Sequence, residues 1–143
     1  MIASLVNTAS LSDLAAELAD AGLPSSDLAD PDRRFFRFED AAGVIGYGGI
    51  EGDGPHRLLR SLVVRPERRG AGLGAAILGA IEQAATDEGV AALYLLTTTA
   101  EPFFRRHGYE ATERAAAPDA IAGSAEFRVL CPASAALLFK RIA

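Results

Sequence analysis

The spacing of apolar residues changes along the chain, and each change marks an element. Residues 2–6 (Ile-Ala-Ser-Leu-Val) read as a short strand, after which Ser10 or Ser12 is placed to cap a helix carrying Leu11, Leu14, Ala15 and Leu18 on one face. Gly22 and Pro24 end that helix. Two strand-like runs, 33–39 and 43–51, are joined by Asp40-Ala41-Ala42-Gly43, a turn-like link that predicts a hairpin. A third run, 58–64, stops at Pro66. Leu73, Ala76, Ile77, Ala80, Ile81 and Ala84 then recur at helical spacing over 73–85, with Gly89 closing the clearest helix of the chain. Residues 92–98 form an apolar run of strand length, 101–107 a brief helix before Gly108, and Tyr109 opens another extended segment. The alanine-rich stretch 115–126, with Pro118 and Asp119 near its start, predicts a helix, and 136–142 a final strand. This order predicts an α/β (α+β) fold, a mixed sheet with helices on its faces.

At 143 residues the chain is one domain, 1–143, long enough to bury roughly two thirds of its unfolded surface. Half of the residues are apolar and no like-charge block occurs, which excludes a mainly disordered chain. The net charge of −5 offers no basic field for nucleic acid, so an anionic ligand must be captured locally, by backbone amides and a few arginines. A single cysteine, Cys131, cannot close an internal disulfide or build a metal cluster, which fits a reducing compartment, with the cytoplasm the default. Asp13, Glu17 and Asp20 interrupt the N-terminal region where a signal peptide needs an apolar stretch, and no run of about 18 apolar residues predicts a membrane span.

The chemistry is expected where the strand Leu62-Val63-Val64 hands over to the long helix, through Arg65-Pro66-Glu67-Arg68-Arg69-Gly70-Ala71-Gly72-Leu73-Gly74. Glycines let the backbone approach a bulky anion, the helix start offers unpaired N–H groups, and arginines add charge-assisted contacts, so the loop suits a pyrophosphate. A Walker loop needs a Lys-Ser/Thr pair after its last glycine, and Ala75-Ala76 stand there. A Rossmann fingerprint has Ala75 at its third glycine and no acidic residue at the end of the next strand, where Thr97 and Thr98 stand.

Arg69, Gly72 and Gly74, preceded by Val64-Arg65-Pro66, match the Arg/Gln-x-x-Gly-x-Gly/Ala motif and the Val-x-Pro of the GNAT superfamily of N-acetyltransferases. By this resemblance the sheet is mostly antiparallel with a splayed central strand pair. Leu62, Val63 and Val64 would hold the pantetheine arm of acetyl-CoA, and Arg69, Gly70, Ala71, Gly72, Leu73 and Gly74 its pyrophosphate. Leu93–Thr98 is similar to the family's fifth strand, and Phe103-Phe104-Arg105-Arg106-His107-Gly108-Tyr109 to its next helix. From Leu58 to the end the sequence resembles small acetyltransferases associated with arsenic-resistance clusters, and Leu96-Thr97-Thr98 onward is similar to the acetyltransferase domain of N-acetylglutamate synthase. The resemblance implies acetyl-CoA as co-substrate, no metal, and a small amino-acid-like amine as acceptor, in a monomer or homodimer. A CoA-binding module without turnover and a protein N-acetyltransferase are the alternatives.

Individual residues carry paired readings. Glu51 is either a base relaying a proton from the amine or a surface carboxylate, and Arg60, with Ser61, either anchors an acceptor carboxylate or lies on a solvated edge. Thr97, Thr98 and Thr99 either donate to CoA or acceptor or cap the strand end. A backbone N–H near Val63 or Val64 is the candidate to meet the developing oxyanion. His107 fits a helix C-terminus, and Cys131 reads as a structural thiol. Phe104, which the resemblance sets against the co-substrate, occupies the position where many members of the superfamily carry a tyrosine that protonates the leaving thiolate.

Overall fold

In the computed structural model, which describes residues 1–143, the predicted hairpin is β2 (Arg33–Asp40) and β3 (Gly43–Glu51), turned at a junction where Asp40 Oδ1 accepts the Ala42 N–H at 2.9 Å. Before it come β1 (Ile2–Leu5) and α1 (Leu11–Asp20). The cap at the start of α1 is not a serine hydroxyl: Asn7 Oδ1 accepts the Ser10 N–H at 3.1 Å and closes a 3₁₀ turn ahead of the helix. After it come β4 (His56–Val64), α2 (Leu73–Asp87), β5 (Ala92–Thr97), α3 (Glu101–Arg106), β6 (Glu110–Thr112), α4 (Asp119–Ala122) and β7 (Ala136–Arg141). The strands form a single seven-stranded sheet in the order β1-β2-β3-β4-β5-β7-β6, antiparallel everywhere except between β4 and β5. No helix is long and apolar enough to cross a membrane.

The helix expected over 115–126 is replaced by three short turns: a 3₁₀ turn Arg114–Ala116, α4, and a π-helical turn Glu126–Leu130 whose Cys131 N–H reaches Glu126 O at 2.9 Å. Alanine favours a helix, but Pro118 pushes Ala117 to an extended backbone, and Gly123 ends α4 after one turn.

β4 changes its facing midway. Before Ser61, Leu59 points to the face covered by α2 and Leu58 to the opposite face; beyond it, Leu62 and Val64 point to α2 and Val63 to the α1 side. The cause is a bulge: Tyr47 faces Val63 and Gly49 faces Arg60, so β4 carries one residue more than β3 between these pairs. Ser61 sits there at φ +60°, a left-handed conformation rare for a residue with a side chain. Because strand side chains alternate, one inserted residue reverses the parity of everything after it. Gly48 lies opposite the bulge, where a Cβ would stand 2.2 Å from Ile81 Cδ1 on α2. The main core lies under α2, with Ile77, Leu78 and Ile81 packed on Phe38, Ile45, Ile50, Leu59 and Leu93, and a second core on the other face joins Leu14 and Leu18 of α1 to Phe35, Tyr47 and Val63.

The strand pair β4/β5 positions the site. Its parallel pairing covers only His56–Ala92, Arg57–Leu93 and Leu58–Tyr94. Past Leu58 the strands part: β4 keeps β3 as its neighbour and β5 keeps β7 along its whole length. The sheet therefore opens in the middle, between residues 59–64 and 95–97, and two facing strand edges lose their mutual partners there.

Candidate active site

A cleft of about 1010 Å³ fills this opening. Its walls are the free half of β4, the loop and first turn of α2, the end of β5 and the Thr97–Ala100 turn, α3, the α1–β2 loop at Ala21–Pro24, and the segment from Glu126 to Ala135. Of the residues expected from the sequence to hold the co-substrate, Leu62, Val63, Val64, Arg69, Gly70, Gly72, Leu73, Gly74, Thr98 and Phe104 all line it, and Ala71 does not.

The loop is built as an anion cradle. The backbone N–H groups of residues 70–75 donate no hydrogen bond within the chain; the first amide of the helix to be satisfied is Ala76, which reaches Gly72 O at 3.3 Å. Gly72, the residue before α2, has φ +74°, and a Cβ on it would meet nothing within 4 Å, so the space above it belongs to the cleft. Arg68 is tied to Asp40 and to Gly43 O, and Arg65 to Glu17 at 2.6 Å, which anchors the loop to the β2–β3 turn and to α1. Arg69 donates to Val64 O at 3.2 Å and stays exposed. These features fit a pyrophosphate: unpaired donors converge at a helix start with arginine nearby.

At the acceptor side a buried ionic cluster joins residues far apart in sequence. Arg60, whose side chain is fully buried, donates to Asp27 through Nη1 and Nη2 at 2.7 and 2.6 Å and to Glu51 at 2.8 Å, and its Nε lies 3.3 Å from Glu126. Arg33 adds a second guanidinium on Asp27 at 2.9 Å and approaches Glu51 at 3.5 Å. Two expectations are corrected by this. Arg60 lines the cleft, but its side chain is fully buried, with both Nη atoms on Asp27 and Glu51 and Nε donating to the Ser61 hydroxyl, so it presents no free fork to an acceptor carboxylate. Glu51 lies behind Arg60, outside the cleft wall, and is held by two arginines, so it is not placed as the base. Ser61 lines the cleft, its hydroxyl accepting from Arg60 Nε at 3.3 Å.

The acid that faces the cleft is Glu126, the sole carboxylate in its wall and only 4% exposed. Burial pushes its carboxyl up to about 7, with Arg60 pulling it down and Asp27 and Glu51 adding to the rise. Asp27 goes the other way: burial opposes its charge, but hydrogen bonds from Arg60 and Arg33 prevail and hold it at about 2. Burial also disfavours the charge on Arg60, yet Asp27, Glu126 and Glu51 bind its proton more firmly than usual. Sequence spacing gave no signal for Glu126, which lies in a segment expected to be a plain helix.

Other side chains of the wall can be sorted by what holds them. His107 stacks on Phe103 with ring centroids 4.7 Å apart, and its Nδ1 lies 2.9 Å from Phe103 O. Cys131 faces the cleft with its thiol pushed up to about 11, by burial first and then by the charge of Glu126. Phe104 packs edge-on against Phe103 and Tyr109, and no tyrosine lines the cleft. Tyr109 is instead buried on the far side of Phe104, donating to Glu82 at 2.8 Å; burial and that carboxylate raise its pKa. No group of three His, Cys, Asp or Glu side chains is arranged to hold a metal ion.

The sequence matches the family described as "Acetyltransferase (GNAT) domain" over residues 31–111, which covers β2 to β6 and therefore the splay, the loop and α3. No curated protein matches at a significant level. Among solved structures, N-acetylglutamate synthase of Neisseria gonorrhoeae with coenzyme A and L-arginine superposes with a TM-score of 0.78 at 16% identity, over 98% of this chain and 32% of that one. The chain thus spans about a third of that protein's length. Rv2747 of Mycobacterium tuberculosis, in complex with CoA, superposes with a TM-score of 0.75 at 20% identity over 99% of both chains. An aminoglycoside 6'-N-acetyltransferase complexed with coenzyme A gives 0.71 at 16% identity, over 100% of this chain and 98% of that one. At such identities the likeness speaks for the fold, and the family match speaks for membership: with a mostly antiparallel sheet opened between two central strands and an unpaired amide cradle beside the opening, the chain belongs to the GNAT acetyltransferase family.

Proposed function

We propose that this chain transfers the acetyl group of acetyl-CoA directly to the amine of a small amino-acid-like acceptor. The carrying observation is the coincidence of the sheet opening with the unpaired N–H groups of residues 70–75. The loop holds the pyrophosphate, and the free edge of Leu62, Val63 and Val64 pairs with the extended arm as a neighbouring strand would. That brings the thioester carbonyl beside β4 at Val63 and Val64; Val63 O is turned to Gly46 and the Arg65 N–H to Ile45 O, both on β3, so the Val64 N–H is the one that faces the opening and would meet the oxyanion developing during attack. Direct transfer rather than an acyl-enzyme is favoured by Cys131: a thiol raised to about 11 stays protonated at neutral pH and is a poor nucleophile.

An amino-acid-like acceptor is supported by the sequence likeness from Leu96 onward and by the fold likeness to an N-acetylglutamate synthase. Phe104 motivates a second reading, a CoA-binding module without turnover, because no tyrosine of the cleft can protonate a leaving thiolate. The two are separated by thiol release from acetyl-CoA across amino acids, their phosphinic and arsinic analogues, simple amines and peptides. We expect amine-dependent release with an amino acid or analogue ahead of peptides; CoA binding without amine-dependent release of thiol from any acceptor would support the module instead.

A further inference from the structure

We propose that Glu126 takes the proton from the acceptor ammonium, with Arg60 as its positioning residue. The inference rests on the transferase reading above and names the group that reading lacks. Three carboxylates surround Arg60, and their geometry separates them. Asp27 is gripped by two arginines at 2.6–2.9 Å and Glu51 by Arg60 at 2.8 Å, and neither reaches the cleft. Glu126 meets Arg60 at Nε alone, at the longer distance of 3.3 Å, and forms part of the cleft wall. A buried carboxylate with a loose ionic partner and a face toward a cavity has unused acceptor capacity there.

The surroundings decide its proton affinity. Facing Glu126 are Asp27 from the α1–β2 loop, Arg33 of β2, Glu51 of β3, Arg60 of β4 and, just beyond its own turn, Cys131, while Arg114 braces the segment through Phe127 O, Pro132 O and Ala135 O. The two arginines are matched by Asp27 and Glu51, so Glu126 is the surplus negative charge of the cluster. A carboxyl poised near 7 is well matched to take a proton at neutral pH, whereas Asp27 at about 2 is too weak a base. The π-helical turn that starts at Glu126 ties its backbone to Cys131, which keeps the side chain and the rim of the cleft on one rigid segment.

The step balances. The acceptor ammonium gives one proton to Glu126, and the free amine forms a C–N bond to the thioester carbonyl carbon. The resulting oxyanion collapses, the C–S bond breaks, and the second proton lost by nitrogen ends on the sulfur of CoA. Glu126 returns its proton to solvent, so the net products are the acetylated amine, CoA thiol and one proton.

The test is the pH dependence of kcat in the wild type and in Glu126→Gln, using the best acceptor of the thiol-release panel, with CoA affinity by calorimetry as a control. The wild type should lose kcat as pH falls below about 7, because the base becomes protonated. Glu126→Gln should lose roughly 100-fold or more in kcat at neutral pH, as expected for removing a general base. It should also lose the acid limb and keep CoA affinity within threefold. Glu126→Asp should retain the limb at an intermediate rate. A wild-type kcat flat from pH 6 to 8 overturns the assignment without any variant. So does a Glu126→Gln protein that keeps both the limb and a rate within threefold, and loss of the limb on His107→Gln instead would move the role to His107. Absence of turnover in the wild type, with CoA bound, would instead sink the transferase reading on which this one rests.

Discussion

Asp27 joins two buried arginines, yet it is a residue that the sequence does not single out. It sits 33 positions from Arg60 and 6 from Arg33, and it takes hydrogen bonds from both. Nothing local in the chain announces such a pairing, because a cluster assembled from the α1–β2 loop, three strands and a π-helical turn has no characteristic spacing. The sequence singles out Arg60 and Glu51 one at a time, and their ion pair shows only once β3 and β4 lie side by side. The pH dependence follows from the signs. Asp27 is held below the ordinary carboxylate value, so its contribution is present above about pH 4 and lost as pH falls toward 2. Glu126 is raised, so between about 4.5 and 7 the folded state binds the extra proton and stability falls as pH rises through that window. Asp27→Asn should leave two buried guanidiniums short of a partner and cost about 3–5 kcal/mol at neutral pH. Its urea midpoint should also change less than that of the wild type between pH 4 and 2. Equal midpoints for the two proteins at pH 7 would show that the cluster contributes nothing to the fold.

Among the elements, β4 does the most with one residue. The bulge at Ser61 turns Val63 away from α2 and Val64 toward it, and it coincides with the opening of the sheet. A left-handed backbone costs a non-glycine residue roughly 1–2 kcal/mol. Ser61→Gly should therefore leave the melting temperature unchanged or raise it, whereas Ser61→Val, branched at Cβ, should destabilise by about 1–3 kcal/mol. Calorimetric melting of both variants checks this, and a Val variant as stable as the wild type would mean that the bulge relaxes freely. Most elements were legible because their signals are local: α2 from its apolar repeat and Gly89, the β2–β3 hairpin from its turn, β5 from an apolar run too short for a helix. The bulge was not, since a serine inside Leu-Leu-Arg-Ser-Leu-Val-Val looks like any strand residue. The stretch after Arg114 misled for a different reason, because alanine content speaks for helix while Pro118 and Gly123 divide it.

At the scale of the whole molecule, the proposed co-substrate is an anion and the protein is acidic, so on this reading placement must do what net charge does not. The chain carries −5, yet the cleft wall holds Arg68, Arg69 and Arg106 beside the loop and a single carboxylate, Glu126. On the proposed reading, affinity comes from the amides of residues 70–75 and from Arg69 and Arg106, since Arg68 is tied to Asp40. The sequence disclosed the loop because a phosphate cradle is a local device; it disclosed the opening of the sheet only through a family resemblance, since strands parting 30 or more positions apart leave no mark in either segment alone. The most direct measurement is calorimetric titration of CoA into the wild type and into Gly72→Asp. A side chain at the left-handed Gly72 costs roughly 1–2 kcal/mol of backbone strain, but its Cβ meets open space and aspartate tolerates that conformation better than most residues, while its charge enters the cradle; a melting scan of the variant confirms that it is folded. We predict saturable binding to the wild type and at least a tenfold loss in the variant, about 1.4 kcal/mol; equal affinity in the two, or no binding to either, would contradict the placement of the co-substrate on which the account depends.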